Sequence, residues 1–337
     1  MPAAAKLLNL RGFLAKIETT YGTLNAPSGA TDAILSLEDP EVTVGYAHDG
    51  TRNNDAMTLA RVARSGRFGT LSLITEAAGF GAAYSASNFP NIHTALRIAG
   101  MSATGSFVGG SEKWTYAPQV DSTTFSSASI EAYYRIQKYA LQGVYASGFK
   151  VTADGPTVPK WEFPMSGILT LPVDSTEAAI AGFTYPTILP AKADNLTINL
   201  GAFTTNAIVK GFEFECKADI SPRLQDNSGG SNAHAGFARG KPIVTCMTSV
   251  EATALVGSPF NSAAGLDPYN LAEQETEVAF QLKAGSVQYK RWTIAATKAQ
   301  IIDVAESKQG NTAMWDIKWA FHPTTVYGVD YFSLVFD

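Results

Sequence analysis

Apolar and polar positions alternate along most of the chain in short runs, and Gly, Pro, Ser, Asn and Asp cluster between them. Glu131-Ala132-Tyr133-Tyr134-Arg135-Ile136 and Glu277-Val278-Ala279-Phe280-Gln281-Leu282 are two such runs. A period of two sends successive side chains to opposite faces of an extended backbone, so each run reads as a strand with one face in a core. Strands are predicted over 41–48, 68–75, 131–138, 143–153, 161–172, 195–199, 207–216, 242–249, 275–282, 288–296, 300–305 and 313–321. The stretch 91–98 differs, because Ile92, Ala95, Leu96 and Ala99 share one face at helical spacing. It predicts a short helix covering an open sheet face. The expected class is therefore mainly β, with helix the minority state.

The two halves of the chain echo each other. Gly66-Arg67 enters one predicted strand and Gly240-Lys241 enters another, and the two alternating runs quoted above form a second pair. The third pair is a closing hairpin, 148–151 through Trp161-Glu162-Phe163-Pro164-Met165, against 299–302 through Trp315-Asp316-Ile317-Lys318-Trp319. The offsets are 174 (66 to 240), 146 (131 to 277) and 154 (161 to 315), so a duplication would have diverged mainly in its loops. Two similar β domains are expected, 31–172 and 195–337, joined by a connector over 173–194 that holds Pro186 and Pro190.

At 337 residues the chain is long enough for two domains, although one large β domain also fits. Its charged fraction of 16% is below the usual quarter, and its net charge of -5 argues against a dedicated nucleic-acid binder. No apolar run is long enough for a membrane-spanning helix, and the opening residues do not read as a secretory leader. Cys216 and Cys246 are too few and too far apart for a disulfide framework and read as reduced, buried thiols.

Catalytic patterns are poor. His48, His93, His234 and His322 are isolated, and there is no HExxH pair, zinc-ligand cysteine spacing, phosphate loop or GxSxG elbow. Neither a metal nor a cofactor is expected, and the chain does not read as an enzyme. Glu38, Asp39 and Glu41 flank Pro40 as an exposed turn, and 226–232 reads as a loop. Trp161, Trp292, Trp315 and Trp319 lie in apolar runs and read as core. Trp114, with Tyr116 after Gly109-Gly110-Ser111, is a candidate assembly contact. Arg52, Arg61, Arg64 and Arg67 crowd beside a strand, and Arg239 and Lys241 hold the related place in the second half. These cations form either a solvated face or an inter-subunit salt-bridge surface, with Asp49, Asp55 or a neighbour's acids as partners.

Arg11-Gly12-Phe13-Leu14-Ala15-Lys16-Ile17-Glu18-Thr19-Thr20-Tyr21-Gly22-Thr23 resembles the amino-terminal signature of the tail tube proteins of siphophages, with long non-contractile tails. Ala30-Thr31-Asp32-Ala33-Ile34-Leu35 and the Ser/Thr-rich β body extend the resemblance. It implies two tandem tube-like β-sandwich or barrel domains after an N-terminal arm over 1–30, with Arg11, Glu18 and Tyr21 as arm contacts. It also implies a structural virion protein that stacks as rings into a hollow tail conduit for the genome, assembled in the host cytoplasm. The rings would be trimeric and pseudo-sixfold if the duplication holds, and hexameric otherwise. The loops 51–66 and 82–91 would make lateral or inter-ring contacts. Implied partners are further copies of the chain, tail terminator, tape measure and distal tail proteins, and DNA in transient passage. A distal tail or baseplate adaptor ring is the nearest alternative. A carbohydrate-binding β module using Trp114 and Tyr116, and a hydrolase with spatially paired carboxylates, are readings from other classes.

Overall fold

The alternating runs build a mainly β protein in which, among the described residues, 17 strands join into one large antiparallel sheet and two further pairs form small separate sheets. The computed structural model describes residues 10–49, 63–119, 125–154, 157–175, 180–185, 197–200, 209–224, 234–252, 261–262, 265–325 and 328–337. The first half contributes β1 (Leu10–Ile17), β2 (Thr43–Asp49), β3 (Ala63–Glu76), α1 (His93–Ile98), β4 (Met101–Ser106), β5 (Lys113–Pro118), β6 (Ala128–Arg135), β7 (Gln137–Ala146), β8 (Gly148–Asp154), β9 (Lys160–Leu169) and β10 (Val173–Asp174). The second contributes β11 (Thr197–Leu200), β12 (Val209–Lys217), β13 (Ile220–Leu224), β14 (His234–Arg239), β15 (Ile243–Glu251), β16 (Asn261–Ser262), β17 (Gly265–Leu266), α2 (Pro268–Glu273), β18 (Glu277–Ala284), β19 (Trp292–Gln309), β20 (Thr312–Phe321) and β21 (Ser333–Phe336).

The two halves share a strand order. In the first it runs β2, β3, β9, then β7 with β8, then β6 and β1. In the second it runs β12, β15, β20, β19, β18 and β11. Chain order agrees as well, with α1 and α2 each lying between the second strand and the β6 or β18 strand. β7 and β8 act as one bent strand. Their pairing with β9 slips by one residue around Ser147, between the rungs Ala146↔Met165 and Lys150↔Glu162. β19 slips at Ile302, between Ile301↔Trp319 and Asp303↔Lys318. The bulges therefore stand at matching places beside Met165 and Trp319, which the sequence echo also aligns. Each half closes alike, with β10 returning to the start of β7 and β21 to the start of β19.

The halves join along two seams and share one core. β8 and β12 pair antiparallel over seven rungs, from Gly211↔Asp154 to Lys217↔Gly148. β5, from a hairpin that only the first half carries, pairs with β21. Apolar residues of both halves, including Trp161, Trp292 and Trp319, form one buried cluster. Phe149, Trp161 and Phe214 stack through the β8–β12 seam. Cys216 and Cys246 lie on β12 and β15 as free, buried thiols. Burial pushes the Cys216 thiol up to about 12.

Three expectations change. The stretch 10–23, expected as part of a free arm, begins as β1, a strand laid along β6 with Phe13 fully buried. The alternation Phe13, Ala15, Ile17 fits a sheet face better than a free arm. The runs 288–296 and 300–305 are one strand, because a bulge bends it without breaking it. An unforeseen helix, α2, starts where Asp267 accepts the Asn270 N–H at 3.1 Å and Pro268 takes the first turn.

Gly148 makes the inner seam possible. Its φ is 140°, and a Cβ there would stand 1.9 Å from the Cys216 carbonyl oxygen. Gly148→Val is expected to destabilise the fold by about 1–3 kcal/mol in urea unfolding, as overpacking does elsewhere. A change below about 0.5 kcal/mol, the size of an ordinary surface substitution, would mean that the seam tolerates separation.

Candidate functional site

Several of the residues expected to make assembly contacts also make contacts within the chain. Glu18 is buried, and its carboxylate accepts from Gly22 N at 2.9 Å, Gly143 N at 2.8 Å, Ser127 Oγ at 2.7 Å and Ser129 Oγ at 2.9 Å. It ties the end of β1 to β6 and β7. Tyr21 stacks on Tyr145 with centroids 5.7 Å apart. Arg11 is exposed and pairs with Asp39 at 2.5 Å, an exposed ion pair that contributes little stability.

The described basic residues lie on or beside different strands. Arg52 and Arg61 lie outside the described residues, as does most of the 51–66 loop. Arg64 and Arg67 sit in β3 opposite His48 and Tyr46 of β2. Lys241 is exposed just before β15. Arg239 reaches back from β14 onto the first half, where its guanidinium lies 5.5 Å from the centre of the Phe125 ring and against Gly100. Its Nε and Nη1 are buried without hydrogen-bond partners, and burial lowers its pKa. It acts as an internal brace.

Trp114 is likewise turned inward. Its indole N–H donates to the Asn88 carbonyl at 3.0 Å, and its ring meets Phe107 and His93. His93 sits on α1 with Nδ1 2.7 Å from the Tyr116 hydroxyl. Burial first, and then the charge of Arg97, lower the His93 pKa to about 4. The 82–91 loop runs into α1 here, with the Asn91 side chain bonded to Ala78 N and Glu76 O.

Among the described residues the fold leaves exposed a sheet face and several singly paired strand stretches, including β1, β4 and β11 and the two that end that face. The outer face of β3, β9, β8, β12, β15, β20 and β19 is continuous across the inner seam. By register and alternation it carries Glu76, Asp154, Glu162, Glu213, Glu215, Asp303 and Asp316 against Lys150, Lys160, Lys217 and Lys318. Lys150 bonds Glu213 across the seam at 2.9 Å. An open concavity of about 610 Å³ follows the seam between Thr152, Lys160, Glu213 and Met247. At one end β2 pairs with β3 alone, and at the other the outer part of β19, 302–309, pairs with β20 alone among the described residues. Charge and aromatic signals pointed elsewhere. These edges carry no chemical motif.

Among the described residues, no group of three or more His, Cys, Asp or Glu is placed to hold a metal. No helix among them is long and apolar enough to cross a membrane. No protein-family model matches the chain, and no curated protein matches it significantly.

Two side chains test this account. Glu18→Ala strands four donors and should cost about 3 kcal/mol in urea unfolding, with no effect on association beyond that loss. His93 protonates near the usual 6.5 when unfolded and near 4 when folded. The unfolded chain therefore binds more protons between these values, and stability falls as pH drops from 6.5 towards 4. The full contribution, on the order of 3 kcal/mol, is present above 6.5. His93→Gln, which keeps a partner for Tyr116, should flatten that part of a stability-versus-pH curve. An unchanged slope would show that His93 is not its source.

Proposed function

We propose that this chain is a structural ring subunit of a hollow virion tail tube, through which DNA passes without being read or held. The observation that carries the reading is the pairing of two copies of one strand order, edge to edge, into a single sheet with an acidic outer face. A chain built this way is two consecutive segments of a wall. Three chains then supply six segments, which favours trimeric, pseudo-sixfold rings over hexamers. An acidic inner wall repels phosphates, so a duplex slides past it, whereas a basic wall would bind the duplex through counterion release. The role is mechanical and is assigned no catalytic residue or cofactor. Its partners are further copies of the chain, the proteins that terminate and gauge the tail, and transient DNA. A distal adaptor ring would use the same architecture and differ in forming no extended stack. A carbohydrate platform has less support, because Trp114 spends its N–H and much of its surface inside the fold.

Electron microscopy of concentrated protein should show annuli of three subunits with an open centre, stacking into tubes. The assembled species should not retard duplex DNA at low salt. Replacing Glu162, Glu213 and Glu215 with lysine should create retardation that disappears as salt rises. Persistent monomers, or rings without a channel, would defeat the proposal.

A further inference from the structure

We infer that the start of β2 of one copy joins the outer part of β19, 302–309, of another in an antiparallel contact that repeats the three rungs of the β8–β12 seam at Lys217, Cys216 and Glu215. The inference rests on the ring reading above and names the contact that closes the ring.

The two free edges are the counterparts of the two strands already joined inside the chain. β2 holds in the first half the place that β12 holds in the second, and 302–309 holds in the second half the place of β8 in the first. The chain thus satisfies one such junction internally and presents the two halves of another at opposite ends.

The ladders also set the register. Trp161 and Trp315 face Thr75 and Val250 across β3 and β15, and Val151 and Glu306 across the closing hairpins. Counting from these rungs puts Val44 in the place of Cys216 and Val304 in the place of Phe149. Cys216 and Phe149 form one rung of the inner seam and are almost wholly buried. Val44 and Val304 pack against the core but remain half-buried. Facing each other, they would complete the burial that the edge leaves unfinished. The rung before it is complementary too. Inside the chain Gly148 faces Lys217; between copies Asp303 would face Gly45, so each junction has a glycine where the backbones come close. The rung after it sets Thr43 opposite Ala305, both exposed.

Such a contact is head to tail, since each copy offers a different edge to each neighbour, and it ends in a ring only if the rotation closes. It also covers strand edge that would otherwise recruit any extended chain.

Cysteines at Thr43 and Ala305 test the register, because residues directly opposite in an antiparallel pair lie within disulfide reach. The native thiols are buried and do not compete. Mixing Thr43→Cys protein with Ala305→Cys protein under mild oxidation should give a covalent dimer containing one of each. The double variant should give a ladder ending in a closed species that runs as the ring does. Pairing Ala305→Cys with Glu41→Cys, two positions out of register, should crosslink at least tenfold less. Annuli visible by microscopy without the Thr43–Ala305 crosslink would overturn this register and leave the ring reading standing. Absence of both annuli and crosslink would overturn the two together.

Discussion

A sheet edge is a row of backbone N–H and C=O groups that must be bonded to another strand or to water, and this molecule is organised around where those groups go. The β8–β12 ladder satisfies such an edge in each half at once. It also fixes how the halves face each other, because a slip of one residue would turn Phe149, Val151, Phe212 and Phe214 out of the core. The close approach at Gly148, the aromatic stack through Trp161 and the continuity of the acidic face follow from that register. With the ladder broken, the shared core would open along its middle.

Much of the fold is legible in the residues. Alternation located nearly all of the longer strands, and tryptophans in apolar runs marked the centre of the core. The echo between halves fell on strands with the same place in the two ladders, despite offsets that differed from pair to pair. The first two offsets differ because the first half carries β4 and β5 between α1 and β6, where only three residues separate α2 from β18. Short polar strands such as Met101–Ser106 escaped, because Ser, Thr and Gly give weak alternation when a strand is only partly buried. The bulge at Ile302 hid the true length of β19 for a related reason, since one extra residue reverses the phase of the pattern.

The candidate site was far less legible. Charge and exposure were read together in sequence, yet Glu18 and Arg239 are charged and largely enclosed. Only the folded chain brings Ser127, Ser129 and Gly143 to the Glu18 carboxylate, from more than a hundred residues away. The free edges posed the opposite difficulty. Whether a strand is central or terminal depends on its neighbours in the sheet, and Val44 and Val304 look like any other strand valines until the ladder is laid out.

The duplication is unequal in one respect that bears on how an assembly of these chains would come apart. Inside the chain two seams hold the halves, β8 with β12 on one side and β5 with β21 on the other, and Arg239 and Phe237 add braces on Phe125 and Tyr145. β10 is the counterpart of β21, but it is two residues long and pairs with β7 alone among the described residues, with Leu171 and Val173 exposed beside it. The second half has no hairpin after α2 to serve as β5 does, since only three residues separate α2 from β18. The proposed contact between copies would therefore repeat part of the inner seam and lack the outer one. In the proposed ring, covalent linkage would let the internal junction form first and without concentration dependence, leaving the weaker edge for contact between copies. Closure of such a ring, satisfying every such edge at once, would supply the stability that a single open contact does not.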